Sequence, residues 1–130
     1  MKKIDSFEII TLRESGMRGS VEYEITAGED GTAKVAFYWL RWNSDAGKDE
    51  RILDKSSVVP ASDIVSTLKK CHVGSWNGFD GPHPKHVLDG IMFRFDAIVN
   101  GGDKITAKGS QNFPKGYRDL TDALYNWLKQ

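Results

Sequence analysis

Residues 21–42 read VEYEITAGEDGTAKVAFYWLRW and contain two strand patterns separated by a turn. Over residues 21–27 apolar and polar side chains alternate, which is typical of a strand with one buried face. Residues 28–31 (GEDG) provide glycines that accept the positive φ of a tight turn. The stretch therefore predicts a β-hairpin, and with it a sheet at the centre of the fold.

The second strand of this hairpin, over residues 33–42, is apolar on both faces. One face carries Val35, Phe37 and Trp39, and the other carries Ala36, Tyr38, Leu40 and Trp42. A strand of this kind is usually central in its sheet and covered on both sides, and we favour that interpretation. The alternative is an exposed strip of Tyr38, Leu40 and Trp42 that binds a protein partner.

The rest of the chain supplies further strands and two helices. Strand patterns cover residues 7–12, 50–59, 91–97 and 104–108, and helical patterns cover residues 61–71 and 115–129. The alternation slips at Ile9 and Ile10, which indicates a bulge or a twisted edge. The sequence predicts one α+β domain over residues 1–130: an antiparallel sheet of five or six strands with two helices on one face, in the order β-β-β-β-α-β-β-α.

Each predicted helix has an apolar stripe. The stripe of the first helix consists of Ala61, Ile64, Val65, Leu68 and Cys71, and that of the second consists of Tyr117, Leu120, Leu124, Trp127 and Leu128. Ser62 or Asp63 is the candidate N-cap of the first helix, and Pro114 precedes the second. Because an apolar stripe needs a partner surface, we expect both helices to pack on the sheet.

Composition narrows the classes of protein to consider. The chain has 130 residues with 18 basic and 18 acidic side chains, so its formal net charge is zero. This balance argues against a dedicated nucleic-acid binder, which needs a basic surface. The longest apolar run, residues 35–40, is too short to span a membrane, and no secretion signal is apparent. We expect a cytoplasmic protein that binds neither nucleic acid nor membrane.

A metal site is the first chemistry to consider. All three histidines and the only cysteine fall within one short segment: Cys71, His72, His83 and His86. Zinc accepts such ligands, but Cys71 lies on an apolar stripe, where a cysteine is usually a small buried side chain. Two prolines flank His83 and favour a rigid surface turn. We therefore expect no metal, and no cofactor either, because no glycine-rich phosphate-binding motif occurs.

Residues 73–88 form a long predicted loop that contains WNGFDG at positions 76–81. We favour a structural role in which Trp76 and Phe79 plug the loop into the core, because an exposed tryptophan loses its burial energy. The alternative is a binding loop, since loops of this length are uncommon unless they are functional or disordered. The candidate binding residues are Trp76, Phe79, Asp80, His83, His86 and Asp89.

Several short segments carry a resemblance. They are SGMRG at 15–19 followed by YEI at 23–25, WNGF at 76–79, LDG at 88–90 and GSQNFP at 109–114 before the last helix. This pattern resembles that of small bacterial proteins with no assigned activity. In that family a Gly-Ser-Asn-aromatic-Pro turn starts the last helix, whereas here Gln111 is inserted between Ser110 and Asn112. The resemblance implies the fold and transfers no catalytic residue.

The sequence offers two hypotheses for function. The surplus aromatic side chains and the lack of a catalytic motif favour a non-enzymatic interaction protein of the accessory, inhibitor or immunity type, which binds a protein partner or a second copy of itself. The alternative is a small-molecule-binding or enzymatic domain that uses residues 76–89, with His83, His86 and Asp89 as its polar groups. A pocket with converging polar groups beside the loop would favour this alternative, and a filled loop would favour the first hypothesis.

Overall fold

The structure is a computed structural model that describes residues 2–17, 19–87 and 90–129. The described residues form seven β-strands and two α-helices. The strands are β1 Phe7–Gly16, β2 Gly19–Ala27, β3 Thr32–Asn43, β4 Lys48–Pro60, β5 Phe79–Gly81, β6 Met92–Val99 and β7 Asp103–Ser110. The helices are α1 Ala61–Lys70 and α2 Tyr117–Leu128, and a single 3-10 turn spans Val73–Ser75.

All the described strands belong to one sheet, in the order β4-β3-β2-β1-β6-β7-β5. Neighbouring strands are antiparallel except β5, which pairs with β7 in parallel. The α+β class is confirmed. The prediction of a purely antiparallel sheet of five or six strands in the order β-β-β-β-α-β-β-α is wrong by this one strand. A strand of three residues shows no measurable alternation, so its pattern could not be distinguished from a loop.

The core lies on one face of the sheet, which we call the helix face. Ile25 and Val35 face each other there across β2 and β3, and both are buried. The predicted helix stripes supply the opposite wall, through Ile64, Leu68, Leu120, Leu124 and Trp127. Both helices therefore pack on the same side of the sheet, as the sequence predicted.

The other face of the sheet, which we call the open face, is not part of this core. β3 lies next to the edge strand β4, and on its open face Ala36 is buried outside the core cluster while Trp42 is exposed. The favoured prediction that β3 is covered on both sides is therefore wrong. The apolar residues of its second face are instead available to pack against long polar side chains of neighbouring strands.

The start of α1 differs from the prediction. Its N-cap position is Pro60 and no side chain caps it by a hydrogen bond, so the prediction that Ser62 or Asp63 caps the helix is wrong. The chain passes from β4 into α1 without a loop, which leaves Asp63 inside the first turn. A carboxylate there is still favourable, because it lies near the positive end of the helix dipole.

Two irregularities in strand pairing shape the sheet. The register between β1 and β6 shifts between Phe7 and Ile9, which confirms the predicted bulge. A second shift, between Phe37 and Tyr38, leaves Asp54 of β4 without a cross-strand partner, and Asp54 accepts a hydrogen bond of 3.1 Å from Trp39 Nε1.

The described part of the chain contains no helix long and apolar enough to cross a membrane.

Candidate functional site

At one end of the sheet, the distal end, β1 turns into β2 and β3 turns into β4. The β3–β4 hairpin extends past its neighbour there, because β3 pairs with β2 only as far as Leu40 but with β4 as far as Asn43. Two tryptophans of the hairpin are accessible, Trp39 with 48% and Trp42 with 63% of its surface exposed. Large aromatic side chains left in water make this end a candidate binding surface.

The helix face of the distal end presents one connected apolar surface. The register aligns a row across five strands there: Phe93, Glu14, Val21, Trp39 and Ile52. Beside this row lie Ile91 and Met17, of which Met17 is 83% exposed. We define the distal patch as Met17, Val21, Trp39, Ile52 and Ile91. A cavity of about 280 Å³ opens within it, with Glu14 and the backbone of Gly16 and Gly19 among its walls.

Glu14 is the one polar member of that row. The hydroxyl of Tyr117 donates a hydrogen bond to Glu14 Oε2. Burial, followed by this hydrogen bond and the charge of Glu14, raises the pKa of Tyr117. Burial and the same charge also raise the pKa of Tyr23. The Glu14 carboxylate thus lies among aromatic and aliphatic side chains.

The open face of the hairpin is organised by an ion network. The buried carboxylate of Glu22 accepts hydrogen bonds from Arg13 at 3.2 Å and from Arg51 at 3.1 Å. Arg51 also donates to Glu24 at 2.8 Å and lies over the ring of Tyr38, 4.2 Å from its centroid. The predicted strip of β3 is therefore only partly available, because Arg51 covers Tyr38.

The other two residues of that predicted strip differ in accessibility. Leu40 is half-buried, whereas Trp42 projects from the part of the hairpin that extends beyond β2. The accessible tryptophans consequently lie on opposite faces, Trp39 on the helix face and Trp42 on the open face.

Trp76 lies inside the core, with 1% of its surface exposed. Its ring contacts Phe95 edge-on at 5.0 Å between centroids, and its Nε1 donates a hydrogen bond of 2.9 Å to the backbone oxygen of Lys115. The indole nitrogen thereby ties the loop to the segment that starts α2. This is the plug that the sequence analysis favoured, and it places Trp76 beyond the reach of a surface ligand.

Past Trp76 the same loop borders an open cleft of about 390 Å³ beside β5, β6 and β7. His83 Nδ1 lies 2.8 Å from Ser110 Oγ, and its Nε2 contacts the backbone oxygen of Val87. Arg94 and Lys108, direct neighbours across β6 and β7, line the cleft. A histidine, a hydroxyl and two cations are thus brought together.

The remaining loop candidates are distributed differently. Asp80 is exposed at the rim of this cleft, and Phe79 is half-buried against Phe93 at 6.2 Å between ring centroids. His86 is exposed and is not among the residues that line the cleft. Asp89 lies outside the described residues.

Among the residues that the structure describes, no group of three or more His, Cys, Asp or Glu side chains is arranged to hold a metal ion. Cys71 is buried in the core, as its position on the helix stripe predicted. Burial raises the pKa of its thiol to about 11, so the neutral form is stabilised.

Sequence reasoning missed Glu14 and the patch around it. Glu14 lies on the same face of β1 as the buried Ile10 and Leu12. The alternation along the strand therefore already indicated a carboxylate on the inward face. Ile91 and Met17 gave no such signal, because isolated apolar residues next to turns are common on protein surfaces. The contact between His83 and Ser110 joins residues far apart in sequence and depends on the tertiary fold.

Comparison with known proteins adds no family: no protein-family model matches the chain, and a search of curated proteins finds no match.

Proposed function

We propose that the chain is a cytoplasmic, non-enzymatic protein-interaction domain of the accessory, inhibitor or immunity type, and that its partner binds at the distal end of the sheet. The single observation that carries the proposal is the distal patch. Five apolar residues share a surface there, and Trp39 within it is half exposed. Exposed aromatic anchors with a surrounding apolar surface are typical of protein interfaces.

The neighbouring edge strand supports the same proposal. β4 is the last strand of the sheet on its side, so one row of its backbone donors and acceptors faces away from β3. A partner segment in extended form could pair with that row while its side chains contact Ile52 and Leu53. Ile52 and Leu53 are both exposed and lie on opposite faces of the strand.

The test compares two variants of β4 and β3. The double variant Trp39→Ser/Ile52→Ser removes the anchors, and Val58→Ser removes another exposed apolar residue near the other end of β4. A partner is identified by affinity capture, purified, and titrated against all three proteins. We expect binding to weaken at least about tenfold in the double variant only, because anchors dominate interface energy.

The proposal is abandoned if the double variant, still folded, binds the purified partner as tightly as the original protein. Sedimentation over a range of concentrations tests a second copy as the occupant. A dimer that dissociates in the double variant but not in Val58→Ser would identify the partner as this chain itself.

A second candidate function is the binding of a small anion in the cleft beside β7. The observation that favours it is the contact of His83 with Ser110 next to the cations Arg94 and Lys108. Arg94 is already paired with Asp96 at 3.0 Å, whereas none of the ion pairs found among the described residues involves Lys108, so Lys108 would be the main cation for a bound anion. Titration with inorganic phosphate should raise the melting temperature, and Lys108→Gln should abolish the rise. No rise at millimolar phosphate would eliminate this candidate.

A further inference from the structure

We propose that the cavity of the distal patch receives a lysine or arginine side chain of the partner protein, with its charged head at Glu14 and its aliphatic stem along Trp39 and Ile91. This inference deepens the proposed function and depends on it for the identity of the surface. It assigns the patch a chemical preference that apolar contact alone would not give.

The first argument is the isolation of the Glu14 carboxylate. Its strand neighbours on the helix face are Val21 on β2 and Phe93 on β6, and both are apolar. Tyr117 satisfies one carboxylate oxygen. Among the described residues no basic side chain forms an ion pair with Glu14. Glu14 is half-buried, so a cation placed at this carboxylate would be attracted more strongly than at a fully solvated one.

The second argument is the shape of the cavity. Gly16 and Gly19 form part of its wall and contribute no side chains, so the space above them stays open. A Cβ built on Gly16 would meet the Ile91 side chain only at 3.8 Å. The resulting cavity of about 280 Å³ is lined by these glycines together with Ile91 and Glu14. A cavity of this size with a carboxylate residue in its wall can hold a long unbranched side chain with a charged tip.

The third argument is the aromatic wall. Trp39 stands edge-on to Phe37 at 5.6 Å between ring centroids, and Asp54 holds its indole nitrogen. These contacts fix the ring in place before any partner arrives. Aromatic faces attract Lys and Arg heads, and the methylene stems of those side chains pack well on apolar surfaces. An acidic side chain would instead be repelled by Glu14.

The experiment uses small probes on the full chain. Nα-acetyl-lysine amide and Nα-acetyl-arginine amide are titrated into labelled protein, and the Trp39 indole N–H signal is followed by NMR. Nα-acetyl-norleucine amide is the matched probe, since it has the same stem without charge. We expect saturable shifts at Trp39 and none at the buried Trp76, with the neutral probe weaker by about tenfold or more.

Variants separate the charge from the shape. Glu14→Gln keeps an acceptor for Tyr117 while removing the charge, and should reduce binding of the cationic probes to that of the neutral probe. Gly16→Val fills the cavity and should abolish binding of all three probes. Glu50→Gln removes a charge from an exposed residue of the same hairpin end that does not line the cavity, and should leave binding unchanged. Melting temperatures verify that each variant is folded.

Two results would overturn the inference. One is equal binding of the cationic and neutral probes to the original protein. The other is saturable binding only in Arg18→Gln, because Arg18 of this chain, which is outside the described residues, would then be the cation that competes with the probes. Neither result tests the proposed function. That function fails only if substitution of Trp39 and Ile52 leaves partner binding unchanged. Probe binding without any effect of those residues on the partner would refute the proposed function, and the cavity would then be a binding site for lysine or arginine side chains that the partner does not use.

Discussion

At the scale of single residues, Gly116 has the most constrained backbone position. It is the N-cap of α2 with φ of 89°, and a Cβ added there would overlap the backbone oxygen of Cys71. Gly47 also has positive φ, 65°, but nothing lies near its added Cβ. Gly47→Ala should therefore cost only the conformational penalty, about 1–2 kcal/mol.

Gly116→Ala should cost clearly more, about 3 kcal/mol or above, since α1 and α2 must also separate. Urea unfolding of both variants checks this difference. Equal losses would mean that the close approach between Gly116 and Cys71 does not exist in solution.

Tyr38 and Trp42 should respond differently to the same substitution. Trp42→Ser changes an exposed side chain and should alter the free energy of unfolding by no more than about 0.5 kcal/mol. Tyr38→Ser removes the ring under Arg51 and loosens the network around the buried Glu22, so a loss of about 1–3 kcal/mol is expected. Chemical unfolding of the two variants side by side is the measurement, and similar small losses would show that the open-face network does not stabilise β3.

At the scale of elements, α2 docks through Leu124 and Trp127. Leu124→Ala should cost about 2–5 kcal/mol, because it leaves a cavity in a buried position. Tyr125→Ala on the exposed side of the same helix should cost less than about 1 kcal/mol and serves as the control. Denaturant unfolding that shows a loss below about 0.5 kcal/mol for Leu124→Ala would mean that α2 does not pack as described.

Elements with clear periodicity were predictable and β5 was not. The hairpin of β2 and β3, the stripes of both helices and the bulge near Ile9 follow from local alternation and turn residues. β5 exists because Trp76 anchors the loop and brings Phe79 alongside Ala107 of β7, a contact that depends on the whole fold. The predicted N-cap of α1 was wrong because Pro60 is both the last residue of β4 and the N-cap position of α1, where no polar side chain caps the helix.

At the scale of the whole molecule, the candidate site was only partly predictable. Trp42 was named as a candidate binding residue and is exposed, whereas Trp39 was assigned to a covered face and is half exposed. The sequence placed Trp39 on the same face as Val35 and Phe37, but it did not reveal that the helices leave Trp39 half exposed. Helix length and placement decide which residues of an inward face remain uncovered, and both are properties of the assembled molecule.

The stability of the whole molecule should fall at alkaline pH. Burial raises the pKa of Cys71 from 9.0 to about 11, and burial with the Glu14 hydrogen bond raises that of Tyr117. Above pH 9 the unfolded chain releases the thiol proton while the native state retains it. The native state then binds more protons than the unfolded state, so the free energy of unfolding decreases as pH rises.

Well below pH 9 both states keep the thiol proton, and no such dependence arises from Cys71. Urea unfolding at pH 7.5, 9 and 10.5 measures the dependence, and Cys71→Ala isolates the part due to the thiol. The variant should be less stable at pH 7.5, because it leaves a small cavity, yet lose less stability between pH 9 and 10.5. Tyr117→Phe should likewise flatten the curve at the alkaline end. Parallel curves for Cys71→Ala and the original protein would show that the native state does not shield this thiol from ionisation.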